Sequence, residues 1–352
     1  SSFRLVFFVI IAPSYDRARY LQLNLWSHFQ GLLQDAVTAP VGMIKSTNER
    51  YRDSIMDRRD FTLALGASLL LPAASTALAS TPNPVARLRA VEQTSGGRLG
   101  AFVLDIGSGR SFGWRADERF CHCSTFKLSL AAMVLRESDV GRLDLTETLS
   151  FSKADIVGYS PVVEENLAAG GLSILALAKA VQITSDNAAA NVLMRRLGGP
   201  EAVTRFWREI GDDTSRLDGY EPSVNVIPPG TEANSTTPHA MADTVHRIVL
   251  GDVLSKGSRE RLQAWMAATR SGQNRIRAGI PADWRGYDKT GTGMRPGLGN
   301  KTNDLAVLVP PGGRSPLVVI GYFENPVFSE AIRPADEAVL KRLGEVAAAW
   351  KV

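Results

Sequence analysis

Residues 121–137 read CHCSTFKLSLAAMVLRE, and after Cys123 the apolar spacing turns helical. Before this point Arg98–Ile106 and Ser111–Trp114 have the composition of strands, joined by a Gly-Ser-Gly turn. An earlier helix is expected after Asn83-Pro84, with Val85, Leu88 and Val91 on its apolar side. Beyond Cys123, spacing of three and four predicts helices over Ser124–Glu137, Leu172–Gln182, Asp186–Leu197, Pro200–Ile210, Pro238–Leu250 and Ser258–Thr269. Strand-like runs return at Tyr287–Gly293, Asp304–Val309 and Leu317–Phe323, and a last helix spans Ala335–Trp350. Strands at both ends with helices between predict an α+β fold, as an α/β three-layer arrangement. Its mainly antiparallel sheet is built from both termini and flanked by helices. Residues 80–122 and 270–352 form the sheet-containing lobe and 123–269 an all-helical lobe, with the active site in the cleft between them.

Residues 56–79 read MDRRDFTLALGASLLLPAASTALA. A twin arginine (Arg58, Arg59), an apolar run and Ala77-Leu78-Ala79 are the parts of a twin-arginine export signal. The mature chain is expected to begin near Ser80, with a periplasmic or secreted location. Residues 1–55 carry no motif, and translation from upstream of Met56 is the expected origin of this extension.

From Ser80 onward there are 273 residues with 32 Lys+Arg against 30 Asp+Glu. No basic run interleaved with aromatics occurs, which speaks against a nucleic-acid partner. The histidines, His28, His122, His239 and His246, form neither H-x-H nor H-E-x-x-H, so no metal is expected. The only cysteines, Cys121 and Cys123, lie too close in sequence for an unstrained disulfide, and the Cys-His-Cys run converges badly on one ion. Two ordinary, partly buried thiols are expected.

Three short motifs carry chemistry. In Ser124-Thr125-Phe126-Lys127, a serine opening a helix has a lysine one turn on, able to accept the hydroxyl proton. The helix N-terminus offers amide hydrogens to a developing oxyanion. Ser185-Asp186-Asn187 begins another helix with a hydroxyl to pass a proton and an amide to hold a carbonyl. Lys289-Thr290-Gly291 sits on an apparent edge strand, where glycine allows a ligand close to the backbone. Each match alone is weak, because Ser and Asp are common helix caps and Lys a common surface residue. Together, in this order, they are the signature of class A β-lactamases and penicillin-binding proteins.

Over residues 80–352 the chain resembles the class A β-lactamase family. Glu221-Pro222-Ser223-Val224-Asn225 looks like the family's loop in which Glu221 and Asn225 hold the hydrolytic water. The resemblance implies Ser124, Lys127, Ser185 and Glu221 as catalytic residues. It implies Tyr159, Asn187, Asn225, Lys289, Thr290, Gly291 and Thr292 as substrate-binding residues. Backbone amides of Ser124 and Thr292 would form the oxyanion hole, and Asn191 would brace the glutamate loop. An arginine near the substrate carboxylate is often found in the family. One of its usual positions reads Thr302 here, while Arg275 suits the other and could supply a bidentate clamp. The implied function is hydrolysis of β-lactam antibiotics such as penicillins and cephalosporins through a serine acyl-enzyme, by a monomer without cofactor or membrane segment in its mature form. Related alternatives are a penicillin-binding DD-peptidase and a β-lactam-sensing domain. An acyl-serine ester persists until a base activates water on it, so Glu221 favours the hydrolase.

The sequence departs from the family in three places. The arginine–aspartate pair that usually pins the glutamate loop is replaced by Gly219 and Asn234, which predicts a softer loop. The stretch Gly293–Thr302 is longer than usual, which predicts a different cleft rim. Cys123 precedes the nucleophile as in carbapenem-hydrolysing relatives, but their partner cysteine corresponds to Gly293 here, so that disulfide is absent.

Overall fold

A computed structural model of the chain describes residues 83–228 and 230–350; the stretch 56–79 expected to be an export signal and the extension before it lie outside the described residues. Helix α1 (Pro84–Ser95) starts where the Asn83 side chain accepts the Val85 amide at 2.9 Å, and stops at Gly96, whose φ of 71° is left-handed. Strands β1 (Arg98–Asp105) and β2 (Ser111–Trp114) follow. Near the other end, β7 (Arg285–Arg295), β8 (Gly299–Val309) and β9 (Leu317–Asn325) lead into α9 (Pro334–Ala349). They assemble into a five-stranded sheet in the order β2-β1-β9-β8-β7, with every neighbouring pair antiparallel.

Both faces of this sheet are buried, and the alternation along each strand shows how. Leu99, Ala101 and Val103 of β1, Ala306 and Leu308 of β8, and Val319 and Phe323 of β9 join Leu88, Val339, Leu340 and Leu343 in one core, beneath α1 and α9. Phe102, Leu305, Val307, Val318, Ile320 and Tyr322 point the other way into the core shared with the helices between the two halves of the sheet. Each fully buried side chain of this size stabilises the fold by roughly 1.5–3 kcal/mol.

The intervening segment contributes α2 (Phe126–Asp139), α3 (Pro161–Glu165), α4 (Ile174–Ile183), α5 (Asn187–Leu197), α6 (Pro200–Glu209), α7 (Pro238–Val245) and α8 (Lys256–Ala267). It is not purely helical, which amends the expectation for 123–269. Strands β4 (Thr148–Ser150) and β5 (Gly171–Ser173) pair as a ribbon, and β6 (Ser235–Thr236) pairs with β3 (Phe120–Cys121). Strands of two or three residues are too short for alternation to register in the sequence. The stretch 293–302 belongs to the β7–β8 hairpin, which keeps pairing out to Arg295 and Gly299.

Candidate active site

The nucleophile candidate lies in a short 3-10 turn, Cys123–Thr125, that runs into α2. Cys123 before it has a φ of 45°, an uncommon conformation for a residue with a side chain. Gly291 of β7 packs directly against this turn: a Cβ there would stand 2.8 Å from the His122 carbonyl and 3.1 Å from the Thr125 amide. Glycine is therefore what lets the edge strand approach the N-terminus of α2.

Lys127, one helical turn after Ser124, is fully buried. Its ammonium donates to Ser124 Oγ at 3.0 Å, to the Ser185 carbonyl at 2.9 Å and to Asn187 Oδ1 at 2.5 Å, and it meets Glu221 Oε1 at 2.8 Å. Ser124 Oγ in turn donates to Glu221 Oε1 at 3.2 Å. One hydroxyl thus contacts both a lysine and a carboxylate: Glu221 can take its proton directly, and Lys127 can do so once it has passed its own proton to Glu221 and become a neutral amine. The Lys127–Glu221 pair has no solvent exposure on either side chain, and removing one partner of such a pair costs about 3–5 kcal/mol.

Ser185 stands just before α5 with a φ of 61°. Asp186 caps that helix, accepting the Ala189 amide at 2.8 Å, and also accepts the Val162 and Val163 amides at 2.8 and 3.1 Å. The same carboxylate therefore ties the Tyr159 segment to α5, reinforced by the Asn187 amide donating to the Tyr159 carbonyl. Ser185 Oγ accepts from Lys289 Nζ at 3.0 Å. Burial, and secondarily the charge of Lys127, hold the Lys289 ammonium well below the usual lysine range. Thr290 Oγ1 lies 2.6 Å from Ser271 Oγ on the rim.

Glu221 reaches this cluster from a loop. Its backbone is fixed by a reciprocal pair with Asn191: the Glu221 amide donates to Oδ1 at 2.9 Å, and Nδ2 donates to its carbonyl at 3.0 Å. Asn225 Nδ2 donates to Glu221 Oε2 at 3.1 Å. At the loop's neck, the Asp218 amide donates to Asn234 Oδ1 at 2.9 Å, and the Asn234 amide donates to Asp218 Oδ2 at 2.9 Å. Asn234 Nδ2 also donates to the Val226 carbonyl at 3.1 Å. This two-way clasp occupies the place of the missing ion pair; Arg216 pairs with Asp218 beside it. Gly219 fits because a Cβ would stand 2.5 Å from Ser223 Oγ.

These residues border a cleft of about 580 Å³ that takes in Ser124, Tyr159, Ser185, Asn187, Glu221, Asn225, Thr290 and Thr292. Every motif predicted from the sequence therefore converges on one site. Arg275 is the correction. It is fully buried, with Nε bonded to Glu337 at 3.2 Å, Nη1 to the Gly291 and Asn303 carbonyls, and Nη2 to Thr292 Oγ1 at 2.8 Å. With four of its five donors held by protein acceptors, it has no free pair with which to clamp a carboxylate bidentately. It braces β7 from behind and reaches the cleft only through Thr292. Thr302 is buried opposite Thr292 in the β7–β8 register. Cys121 and Cys123 are free, as expected, but wholly rather than partly buried.

The sequence reading missed Arg270, Ser271, Met294 and Ile332 in the cleft wall. None belongs to a motif; long-range packing alone brings them there. Among the described residues no three His, Cys, Asp or Glu side chains are grouped to hold a metal.

A sequence profile described as "Beta-lactamase enzyme family" matches residues 83–350. The chain is 43% identical to a β-lactamase of Streptomyces fradiae over 282 residues, covering 76% of this chain and 89% of the relative. It is 38% identical to β-lactamase Toho-1 of Escherichia coli over 269 residues, covering 76% and 90%. Among solved structures, a β-lactamase from Burkholderia vietnamiensis superposes with a TM-score of 0.72 at 45% identity, covering 78% of this chain and 98% of that one. An ancestral class A β-lactamase gives 0.70 at 46% identity, with 75% and 98% covered. The motifs, the fold and these similarities agree: this chain belongs to the class A serine β-lactamases.

Proposed function

We propose that the chain hydrolyses the amide of β-lactam antibiotics, penicillins and cephalosporins, through an acyl-enzyme on Ser124. The observation that carries this reading is Ser124 Oγ within hydrogen-bond reach of both Lys127 and Glu221. Ser124 attacks the lactam carbonyl, and its proton passes to Lys127 in its neutral form, the lysine having first given a proton to Glu221, or to Glu221 itself through water. The amides of Ser124 and Thr292 receive the oxyanion. Ser185, held by Lys289, passes a proton to the departing nitrogen, while Lys289 and Thr290 hold the substrate carboxylate. Glu221 and Asn225 then set a water on the ester, which releases the product and restores Ser124.

Glu221 separates this reading from a penicillin-binding peptidase or a sensor domain, in which the ester would persist. Purified protein given excess benzylpenicillin should consume many equivalents with only transient gain of mass on Ser124. Consumption of one equivalent, leaving a stable adduct, would support the sensor or peptidase instead. By the same family logic the enzyme acts as a monomer, and residues 56–79 direct its export through the twin-arginine route. A mass of the exported protein that retains Arg58-Arg59 would contradict that route.

A further inference from the structure

One row of residues crosses four strands of the sheet. Arg98 of β1 lies opposite Glu324 of β9, Glu324 opposite Lys301 of β8, and Lys301 opposite Gly293 of β7. Beside the charged part of this row lies a groove of about 540 Å³, bordered by Arg98, Ile227, Leu298, Lys301, Glu324 and Pro326. It shares no lining residue with the catalytic cleft.

The two cations in the groove differ. The Arg98 guanidinium is committed, donating to Glu324 Oε2 at 2.8 Å, to Glu118 Oε2 at 3.0 Å and to the Arg119 carbonyl at 2.7 Å. Lys301 is 8% exposed as a residue; its ammonium is not among the buried unpaired atoms and so opens to solvent, and among the described residues it has no ion pair and no hydrogen bond. An ammonium carries three donors, and here none is taken by a described residue, so all are free for an acceptor that enters the groove. Glu324, its cross-strand neighbour, is already engaged by Arg98 and stands beyond ion-pair distance from Lys301. Ile227 from the glutamate loop, Leu298 from the hairpin turn and Pro326 supply the apolar part of the wall, with Gly96, Gly97 and Asn325 completing it. Val327 and Phe328, next in the chain, are exposed as well.

We propose that this groove is a second binding site, for a small amphiphile carrying one carboxylate. The carboxylate accepts from Lys301 Nζ, and the short apolar body lies against Ile227, Leu298 and Pro326. Glu324 beside the lysine disfavours a head group with two negative charges, which is why a monoanion fits. The site stands apart from the catalytic reading and does not depend on it.

The probe is octanoate, titrated calorimetrically into the full chain, with octan-1-ol as the uncharged comparison. Octanoate should bind at least about tenfold more tightly than octanol, and Lys301→Met should lose at least about tenfold of the octanoate affinity, the usual effect of one charge-assisted hydrogen bond. Because a change at Lys301 could disturb folding, a second pair acts at the exposed mouth: Leu298→Asp should weaken octanoate binding and Leu298→Lys should tighten it. Equal octanoate affinity in Lys301→Met and in the parent would overturn the proposal, since binding would then lie elsewhere, such as at Lys289. So would an affinity unmoved by the charge at position 298, or no binding in the millimolar range.

Discussion

The Ser124 cluster and the Glu221 loop meet at one hydroxyl but are built differently. Ser124, Lys127, Ser185 and Lys289 stand on or beside α2, α5 and β7, elements whose backbones are bonded along their length. Lys127 alone touches Ser124, Ser185, Asn187 and Glu221. Glu221 instead rides a loop without long regular elements, held by separate local bonds, chief among them the Asn191 pair and the Asn234–Asp218 clasp. The nucleophile's surroundings are thus set by the framework, and the hydrolytic base by a handful of local bonds. Perturbing the first should disable acylation; perturbing the second should let acylation proceed while deacylation lags.

Lys127→Met gives the largest expected effect on the framework side. It removes a proton acceptor and leaves Glu221 buried without its partner. Acylation should slow by roughly 10²–10⁴-fold, the usual range for a general base. Stopped-flow acylation with a chromogenic cephalosporin measures it, and a loss confined to deacylation would break the division drawn here.

Acid should also act on the framework side. His122, directly before the nucleophile turn, is fully buried and stacks on Trp207 with ring centroids 4.9 Å apart. Burial pushes its pKa down to about 4, with Asp212 opposing in part. Between pH 6.5 and about 4 the unfolded chain binds this proton and the folded chain does not, so stability falls as pH falls, by about 3 kcal/mol in all. His122→Phe keeps an aromatic ring over Trp207 and removes the titration. Denaturant unfolding at pH 7 and pH 5 should show a smaller loss in the variant; equal losses would remove His122 from the account.

Asn234→Ala opens the clasp and sharpens the comparison from the loop side. It deletes the acceptor for the Asp218 amide and the donor to Val226, at a cost of about 1–3 kcal/mol. Hydrogen exchange across 216–235 should exceed that of α5 already in the parent and rise further in the variant, with kcat falling more than the acylation rate. Protection across the loop equal to that of α5 would mean that the clasp replaces the absent ion pair in full.

How much of this was legible beforehand follows the range of the interactions. The long strands and helices show in the sequence because their apolar periods repeat over many residues; the β4–β5 ribbon offers three residues a side and leaves no such trace. Ser124-x-x-Lys127 is a local motif, and one turn of helix suffices to place its ends together. Arg275 had the right neighbourhood, but which way its guanidinium points depends on Glu337 and on two carbonyls of separate strands. The clasp is similar: the absence of a charge pair at Gly219 and Asn234 was visible, whereas Asp218 as the replacement partner required the folded loop. Ile332 enters the cleft from the segment after β9, a placement that only tertiary packing decides.

The most direct test of the central claim replaces only the hydrolytic base. Glu221→Gln, mixed with benzylpenicillin and followed by intact-protein and peptide mass spectrometry, should accumulate a penicilloyl adduct on Ser124 while steady-state turnover drops by roughly 10²–10⁴-fold. Near-normal turnover with no adduct would contradict the assignment of deacylation to the Glu221 loop.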